Sequence, residues 1–180
     1  LKQSNVTCSP ISFLYAQHGW ILVGMVVAAG SMGAAILPTN DGGVTWTLLS
    51  AALPTGPSST NQLPFGGLKS GVGFTDTSTG YISGTTYANN RAWFYVTHDG
   101  GRTWHPQSLP LPRHVGDAPL SLSVPQFFNA SDGVLTVIGF TPFSGANDRF
   151  AVYVTNDGRT SGTVGTPLTI SPHATPFIPI

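Results

Sequence analysis

The sequence predicts an all-β chain built from a short antiparallel unit that occurs three times. Three observations support this: an eight-residue motif recurs at a fixed interval, short β-prone runs alternate with turns, and the composition disfavours helices. The 180 residues include 22 Gly and 15 Pro, and all seven acidic residues are Asp. Turn-rich β proteins need Gly and Pro, whereas helical surfaces normally carry Glu and Lys.

The recurring motif combines Thr, Asp, a Gly pair and a closing Trp. Its first copy, TNDGGVTW, occupies residues 39–46, and its second, THDGGRTW, occupies residues 97–104. A degenerate third copy covers residues 155–162, where an Arg replaces the second Gly and no Trp closes the motif. An interval of 58 residues separates the successive aspartates Asp41, Asp99 and Asp157. A fixed period of this size predicts a repeat architecture.

Each repeat is predicted to contain four strands joined by turns. The predicted strands are 11–15, 20–28, 35–38 and 45–49, then 72–74, 81–85, 92–97 and 103–108, then 124–128, 134–140, 150–155 and 163–170. A second regularity agrees with this division. A Phe closes each first strand and a Gly opens each second strand six residues later, in the pairs Phe13 and Gly19, Phe74 and Gly80, and Phe127 and Gly133.

A four-stranded antiparallel unit repeated in tandem is the sequence signature of a β-propeller blade. The predicted blades span approximately residues 11–50, 71–109 and 123–170, and an irregular tail follows at 171–180. Blades bury their faces on neighbouring blades, and rings usually contain four or more. We therefore expect residues 1–180 to form one partial propeller that belongs to a larger ring. The alternative is a β-sandwich, which the constant interval disfavours.

The motif falls on the turn between the third and fourth strands, where a structural role is expected. Glycines permit turn angles that other residues reach only with strain, the carboxylate can accept turn N–H groups, and the Trp supplies apolar surface. The residues assigned to this structural set are Thr39, Asp41, Gly43, Thr45, Trp46, Thr97, Asp99, Gly101, Thr103, Trp104 and Asp157.

These residues match the pattern Ser/Thr-x-Asp-x-Gly-x-Thr-Trp, so the chain resembles the Asp-box propellers, also called bacterial neuraminidase repeats. That group includes sialidases, xyloglucanases, sortilin-type receptors and photosystem II assembly and stability factors. The repeat is most similar to that of the assembly factors, through Phe74-Thr75-Asp76, Gly80-Tyr81 and residues 97–104. The resemblance implies a structural box and a ligand on the opposite face, and it does not imply photosynthesis, because fold does not fix function.

The order of the strands predicts where a ligand would bind. In an up-and-down meander, the second–third loops and the links between repeats lie at the end opposite the boxes. Lys69, Arg91 and Arg149 border predicted strands there, so solvated loop ends are the simpler interpretation. Arg113, His114 and Asp117 form a mixed cluster that could bind a carboxylate or sugar or form a loop salt bridge. The candidate ligand-face residues are Arg91, Arg113, His114, Asp117 and Arg149.

The supply of carboxylates argues against catalysis within this chain. A glycosidase needs two positioned carboxylates, but there is no Glu, and three of the seven Asp belong to boxes. We therefore expect a non-catalytic module that binds a protein or surface ligand, with a protein or a carbohydrate as its partner. The alternative is part of a secreted glycoside hydrolase of the sialidase or xyloglucanase type.

Composition excludes several other classes. The formal net charge is zero, so no nucleic-acid partner is expected. The single Cys8 allows no internal disulfide, and no cofactor or metal is predicted, because the His residues lack ligand spacing. The longest apolar stretch is too short to span a bilayer. The first residue is Leu and no signal peptide is visible, which suggests a fragment or processed chain. The low charge suggests an extracytoplasmic bacterial protein.

Overall fold

The structure is a computed structural model that describes residues 7–53, 62–87, 91–111, 119–129, 131–139, 149–156 and 163–164. Within these ranges the secondary structure consists of thirteen strands and contains no helix. Every pairing between these strands is antiparallel. The prediction of an all-β chain is therefore confirmed.

The first sheet is a four-stranded meander in the order β1-β2-β3-β4. Its strands are β1 (Thr7–Phe13), β2 (Gly19–Ala28), β3 (Ser31–Thr39) and β4 (Ser50–Ala52). The fourth strand begins later than the predicted 45–49, because the motif turn uses the first of those residues. The N–H of Leu49 nevertheless donates to the carbonyl of Ile36 at 2.9 Å, which extends the hydrogen bonding of β4.

The second sheet contains the remaining nine described strands. Its main path runs β13-β12-β11-β9-β6-β7-β8, with β5 paired to β6 and β10 paired to β11. The strands are β5 (Leu68–Phe74), β6 (Gly80–Thr86), β7 (Trp93–Thr97), β8 (His105–Pro106), β9 (Leu120–Leu122), β10 (Gln126–Phe127), β11 (Gly133–Gly139), β12 (Arg149–Thr155) and β13 (Thr163–Val164). We refer to β1–β4, β5–β8 and β9–β13 as the first, second and third units.

The second and third units share one sheet, although the sequence suggested separate ones. Within the predicted strand 124–128 only β10 (Gln126–Phe127) is a strand, and β9 (Leu120–Leu122) lies before it as a strand that the sequence did not predict. Strand β9 pairs with both β6 and β11, since Ser121 lies opposite Thr85 on one side and Ile138 on the other. The hydroxyl of Thr85 also donates to the hydroxyl of Ser121 at 3.0 Å. No local sequence pattern indicates this bridging role.

A close contact between Phe and Gly explains the six-residue spacing in all three units. In each pair the Phe ends one strand (β1, β5 or β10) and lies directly opposite the Gly that begins the next strand along the chain (β2, β6 or β11). A Cβ atom on Gly19, Gly80 or Gly133 would approach the opposing ring to 2.8, 2.5 or 2.7 Å, respectively. Each of these positions therefore requires glycine, because any side chain there would clash with the opposing Phe ring.

Two hydrophobic cores lie between successive units. The first, between the first and second units, includes Trp20, Leu22, Ile36, Phe74, Ile82, Trp93 and Trp104. The second, between the second and third units, includes Tyr81, Phe94, Val96, Leu120, Val137 and Tyr153. Strand β7 contributes to both, because Trp93 and Tyr95 face the first core and Phe94 faces the second.

Candidate functional site

The first copy of the motif, residues 39–46, is a hydrogen-bonded turn closed by its own side chains, and we call it and residues 97–104 the first and second boxes. The hydroxyl of Thr39 donates to Asp41 Oδ1 at 2.7 Å and accepts the N–H of Gly43 at 2.9 Å. The N–H of Thr45 donates to Asp41 Oδ1 at 2.9 Å, and its hydroxyl donates to Oδ2 at 2.5 Å. The indole of Trp46 donates to the Gly43 carbonyl at 3.0 Å. All of these hydrogen bonds are formed within the turn itself.

The second box repeats this network. The hydroxyl of Thr97 donates to Asp99 at 2.8 Å and accepts the N–H of Gly101 at 2.9 Å. Both the N–H and the hydroxyl of Thr103 donate to Asp99, at 2.9 and 2.6 Å. The indole of Trp104 donates to the Gly101 carbonyl at 3.1 Å. Both glycines of each box have positive φ, between 75° and 99°, which favours glycine there.

The first unit also donates two hydrogen bonds to the backbone of the second box. The indole N–H of Trp20 donates to the Gly100 carbonyl at 3.1 Å, and the hydroxyl of Ser50 donates to the Gly101 carbonyl at 2.9 Å. Trp104 is fully buried beneath this contact, whereas Trp46 in the first box is only half-buried. The two boxes therefore share one geometry and differ in whether a neighbouring unit covers them.

Hydrogen bonds lower the pKa of three turn carboxylates, those of Asp41, Asp76 and Asp99. Bonds from Thr45 lower the pKa of Asp41 to about 2. Burial alone would raise the pKa of Asp99, but bonds from Thr103 and its neighbours outweigh burial and set it at about 2. Asp76, in the β5–β6 turn, also has its pKa set at about 2, because bonds from Ser78 and Thr79 outweigh burial. A carboxyl group of this kind stays ionised at neutral pH and cannot serve as a general acid.

A cleft of about 730 Å³ lies at the opposite ends of the strands from the boxes. Its lining includes the β2–β3 turn at Gly30 and the segment that contains Gly66 and Gly67. It also includes Trp93 and Tyr95 of β7 and residues 106–109. The cleft therefore lies between the first and second units, at the end where the sequence places the candidate ligand face.

Arg91 is the one charged residue among the described residues that line this cleft. It is exposed, and its positive charge acts on Tyr95, whose pKa is raised by burial and partly lowered again by Arg91. Tyr87, also in the lining, is 54% exposed. The described lining thus combines aromatic side chains, glycine residues and one cationic side chain.

Lys69 was expected to be a solvated loop end, and that expectation is wrong. It is 5% exposed, and its Nζ donates to the carbonyls of Met32, Phe65, Gly66 and Gly67 at 2.6, 2.8, 3.2 and 3.1 Å. Burial lowers the pKa of Lys69 to about 7. Sequence reasoning overlooked it because a lysine at a strand end is usually solvated. The only local signal is the Gly66-Gly67 pair just before it.

The other candidate ligand-face residues are not brought together in the described structure. Arg149 begins β12, and its backbone pairs with Gly139 of β11. Arg113, His114 and Asp117 lie outside the described residues, as does Asp157 of the degenerate third box. Of the candidate set, Arg91 is the residue that the described structure places at a cleft.

The part of the chain that the structure describes holds no group of three or more His, Cys, Asp or Glu able to bind a metal ion. In the same ranges, no helix is long and apolar enough to cross a membrane. Comparison of the chain with protein-family models, with curated proteins and with solved structures finds no match.

Proposed function

We propose that this chain is a non-catalytic β-propeller module that binds a protein partner in the cleft between its first and second units. In this proposal each unit is a blade, and the three blades belong to a larger ring. The observation that carries the binding function is the cleft beside Arg91, which lies away from all described carboxylates.

Repetition of one contact between successive units supports the blade assignment. Trp20, which follows the strand-opening Gly of the first unit, stacks on Phe74 of the second unit. Tyr81, which follows the equivalent Gly of the second unit, stacks on Phe127 of the third. The corresponding ring of the first unit is Phe13. It is 44% exposed, whereas Phe74 is 8% exposed. An equivalent aromatic side chain from a further blade would cover Phe13 in a larger ring.

The chemistry of the cleft favours a protein partner. Tyr, Trp and Arg are the residues most enriched at the energetic centres of protein interfaces. The described lining contains Tyr87, Trp93, Tyr95 and Arg91, and of these Tyr87 and Arg91 are exposed. Such a surface can hold a peptide by aromatic contact and by a charged hydrogen bond from Arg91.

The described carboxylates do not favour the glycoside hydrolase alternative. A glycosidase needs two carboxyl groups that face one substrate, one of them protonated. Asp41, Asp76 and Asp99 instead lie in turns at the other end of the strands, and each accepts several hydrogen bonds there. Asp132 also accepts a bond within its turn, from the Asn129 amide at 2.7 Å.

Peptide selection followed by a matched pair of variants tests the proposal. Peptides are first selected on the purified chain from a random displayed library. Their affinity should fall about tenfold or more in Arg91→Gln, because the loss of one hydrogen bond from a charged group has about that effect. Arg102→Gln, which removes the same charge at the box end, should leave affinity unchanged. Equal losses in both variants would place the binding surface elsewhere.

An activity assay separates the two functions. The chain should release no sugar from xyloglucan or sialyllactose. Asp117 and Asp148 are the two aspartates that the sequence places outside the boxes and the predicted first–second turns. Sugar release that disappears in Asp117→Asn or Asp148→Asn would establish the hydrolase instead. Charge reversal at Arg113 and His114, measured with the same selected peptides, tests whether that cluster belongs to the binding surface.

We also propose an extracytoplasmic location, on composition alone. Charged residues make up 8% of the chain, and the acidic residues are all Asp. Fractionation of the producing cells, with recovery of the protein in the cytoplasm, would contradict this assignment.

A further inference from the structure

The Lys69 ammonium sits in a ring of four backbone carbonyl oxygens. The distances from Nζ are 2.6 Å to Met32, 2.8 Å to Phe65, 3.1 Å to Gly67 and 3.2 Å to Gly66. An ammonium has three N–H groups and no lone pair, so it can serve four oxygens with one shared bond. A neutral amine has only two N–H groups, and its lone pair would face an oxygen.

The charge is balanced by dipoles and not by a described carboxylate. Burial is the one influence that shifts the pKa of Lys69, so no described acidic group acts on it. The Nζ atom instead lies 5.0 Å from the Trp93 ring centroid and 6.0 Å from that of Phe65. Aromatic faces and carbonyl oxygens both attract a cation. The surroundings therefore resemble a cation-binding site built from neutral groups.

The carbonyl ring joins two parts of the chain that are distant in sequence. Met32 belongs to β3 of the first unit, while residues 65–67 precede β5 of the second. Two backbone bonds link the same parts, from the Met32 N–H to Phe65 and from the Gly67 N–H to Gly30, both at 3.1 Å. Gly30, Gly66 and Gly67 line the cleft. The Lys69 ammonium therefore holds together two chain segments that contribute to the lining of that cleft.

We propose that the carbonyl oxygens of Met32, Phe65, Gly66 and Gly67 form a monovalent-cation site whose resident ion is the Lys69 ammonium. The site takes a primary alkylammonium ion when the lysine side chain is shortened. Its resident ion holds the segment 64–67 against the first unit, so Lys69 is a positioning residue for the cleft. Only this last consequence, for ligand binding, rests on the proposed function.

Amide hydrogen exchange at pH 6 gives the first test, in a chain that keeps the bulk of the side chain. Lys69→Met removes the charge and retains an apolar stem. The amides of Met32 and Gly67 should lose protection about tenfold more than the amides of the β6–β7 pairing. Equal loss in both places, or no loss at Met32 and Gly67, would overturn the proposal.

Chemical rescue gives the second test. Lys69→Ala leaves the four carbonyls facing a space of the size of propylammonium. Propylammonium chloride should raise the melting temperature of Lys69→Ala with increasing concentration, as ligand binding to the folded state requires. Tetramethylammonium chloride at equal ionic strength has no N–H groups and should not. Lys69→Met, in which the space is filled, should respond to neither salt.

The outcomes separate the cation site from the cleft's function. A response of Lys69→Ala to both salts, or to neither, contradicts the site. If Lys69→Ala does not fold at any propylammonium concentration, the exchange result for Lys69→Met decides. Rescue by propylammonium without any peptide binding by the wild-type chain would confirm the site and reject the proposed binding function.

Discussion

Trp20 of the first unit lies flat on Phe74 of the second, with ring centroids 3.8 Å apart and planes 12° apart. Trp104 meets the same Phe74 ring edge-on at 6.3 Å, so Phe74 is enclosed by rings from both units. The Phe74 N–H also donates to the Ser12 hydroxyl at 3.0 Å. Since aromatic pairs stabilise beyond their buried area, this cluster helps to hold the two units together.

The two box tryptophans should differ in their contribution to stability. Trp104→Ala should lower the free energy of unfolding by about 3–5 kcal/mol, because the side chain is fully buried. Trp46→Ala, the same change in the half-exposed box, should cost clearly less. Urea denaturation of the two variants measures the difference, and equal losses would contradict the role assigned to the covering unit.

Acid should destabilise the chain through the turn carboxylates. The pKa values of Asp41, Asp76 and Asp99 are lowered from 3.8 to about 2 in the folded state. The unfolded chain therefore binds more protons in this range, and stability present above pH 4 is lost as the pH falls towards 2.

Unfolding free energies measured between pH 2 and 5 should show this slope. Asp99→Asn should reduce the slope, because one of the three groups no longer titrates. An unchanged slope in Asp99→Asn would show that other groups cause the acid sensitivity.

Gly80→Ala should destabilise the second unit by about 1–3 kcal/mol, the usual cost of overpacking. The added methyl would meet the Phe74 ring at 2.5 Å, and Trp20 and Trp104 leave that ring little room to move. Gly66→Ala is the matched control, because nothing lies within 4 Å of its added Cβ. Thermal unfolding of both variants checks the prediction, which fails if Gly66→Ala is the more damaging change.

Ser83→Ala should raise the free energy of unfolding by about 1 kcal/mol, since an unpaired buried hydroxyl is costly. The Ser83 hydroxyl is fully buried and has no hydrogen-bond partner in the described structure. Ser50→Ala provides the contrast, because it removes the bond to the Gly101 carbonyl and should lower stability by about the same amount. A loss of stability in Ser83→Ala would indicate a partner for that hydroxyl.

The sequence predicted features that depend on neighbours along the chain. The Asp41 and Asp99 turns, and the Phe74–Gly80 contact, arise within one unit and therefore leave a local pattern. The burial of Lys69 depends on the Met32 carbonyl, 37 residues away in sequence. The role of β9 likewise depends on pairing with strands on both sides. Neither arrangement could be predicted from residue spacing.

The stacking of Trp20 on Phe74, and of Tyr81 on Phe127, has a direction. Strand β2 supplies a ring to β5 of the second unit, and β6 supplies a ring to β10 of the third, so each contact joins two unlike surfaces. A contact of this kind is not self-complementary and cannot by itself form a two-fold dimer. It can only add units head to tail, which makes the order of units along the chain also their order in space.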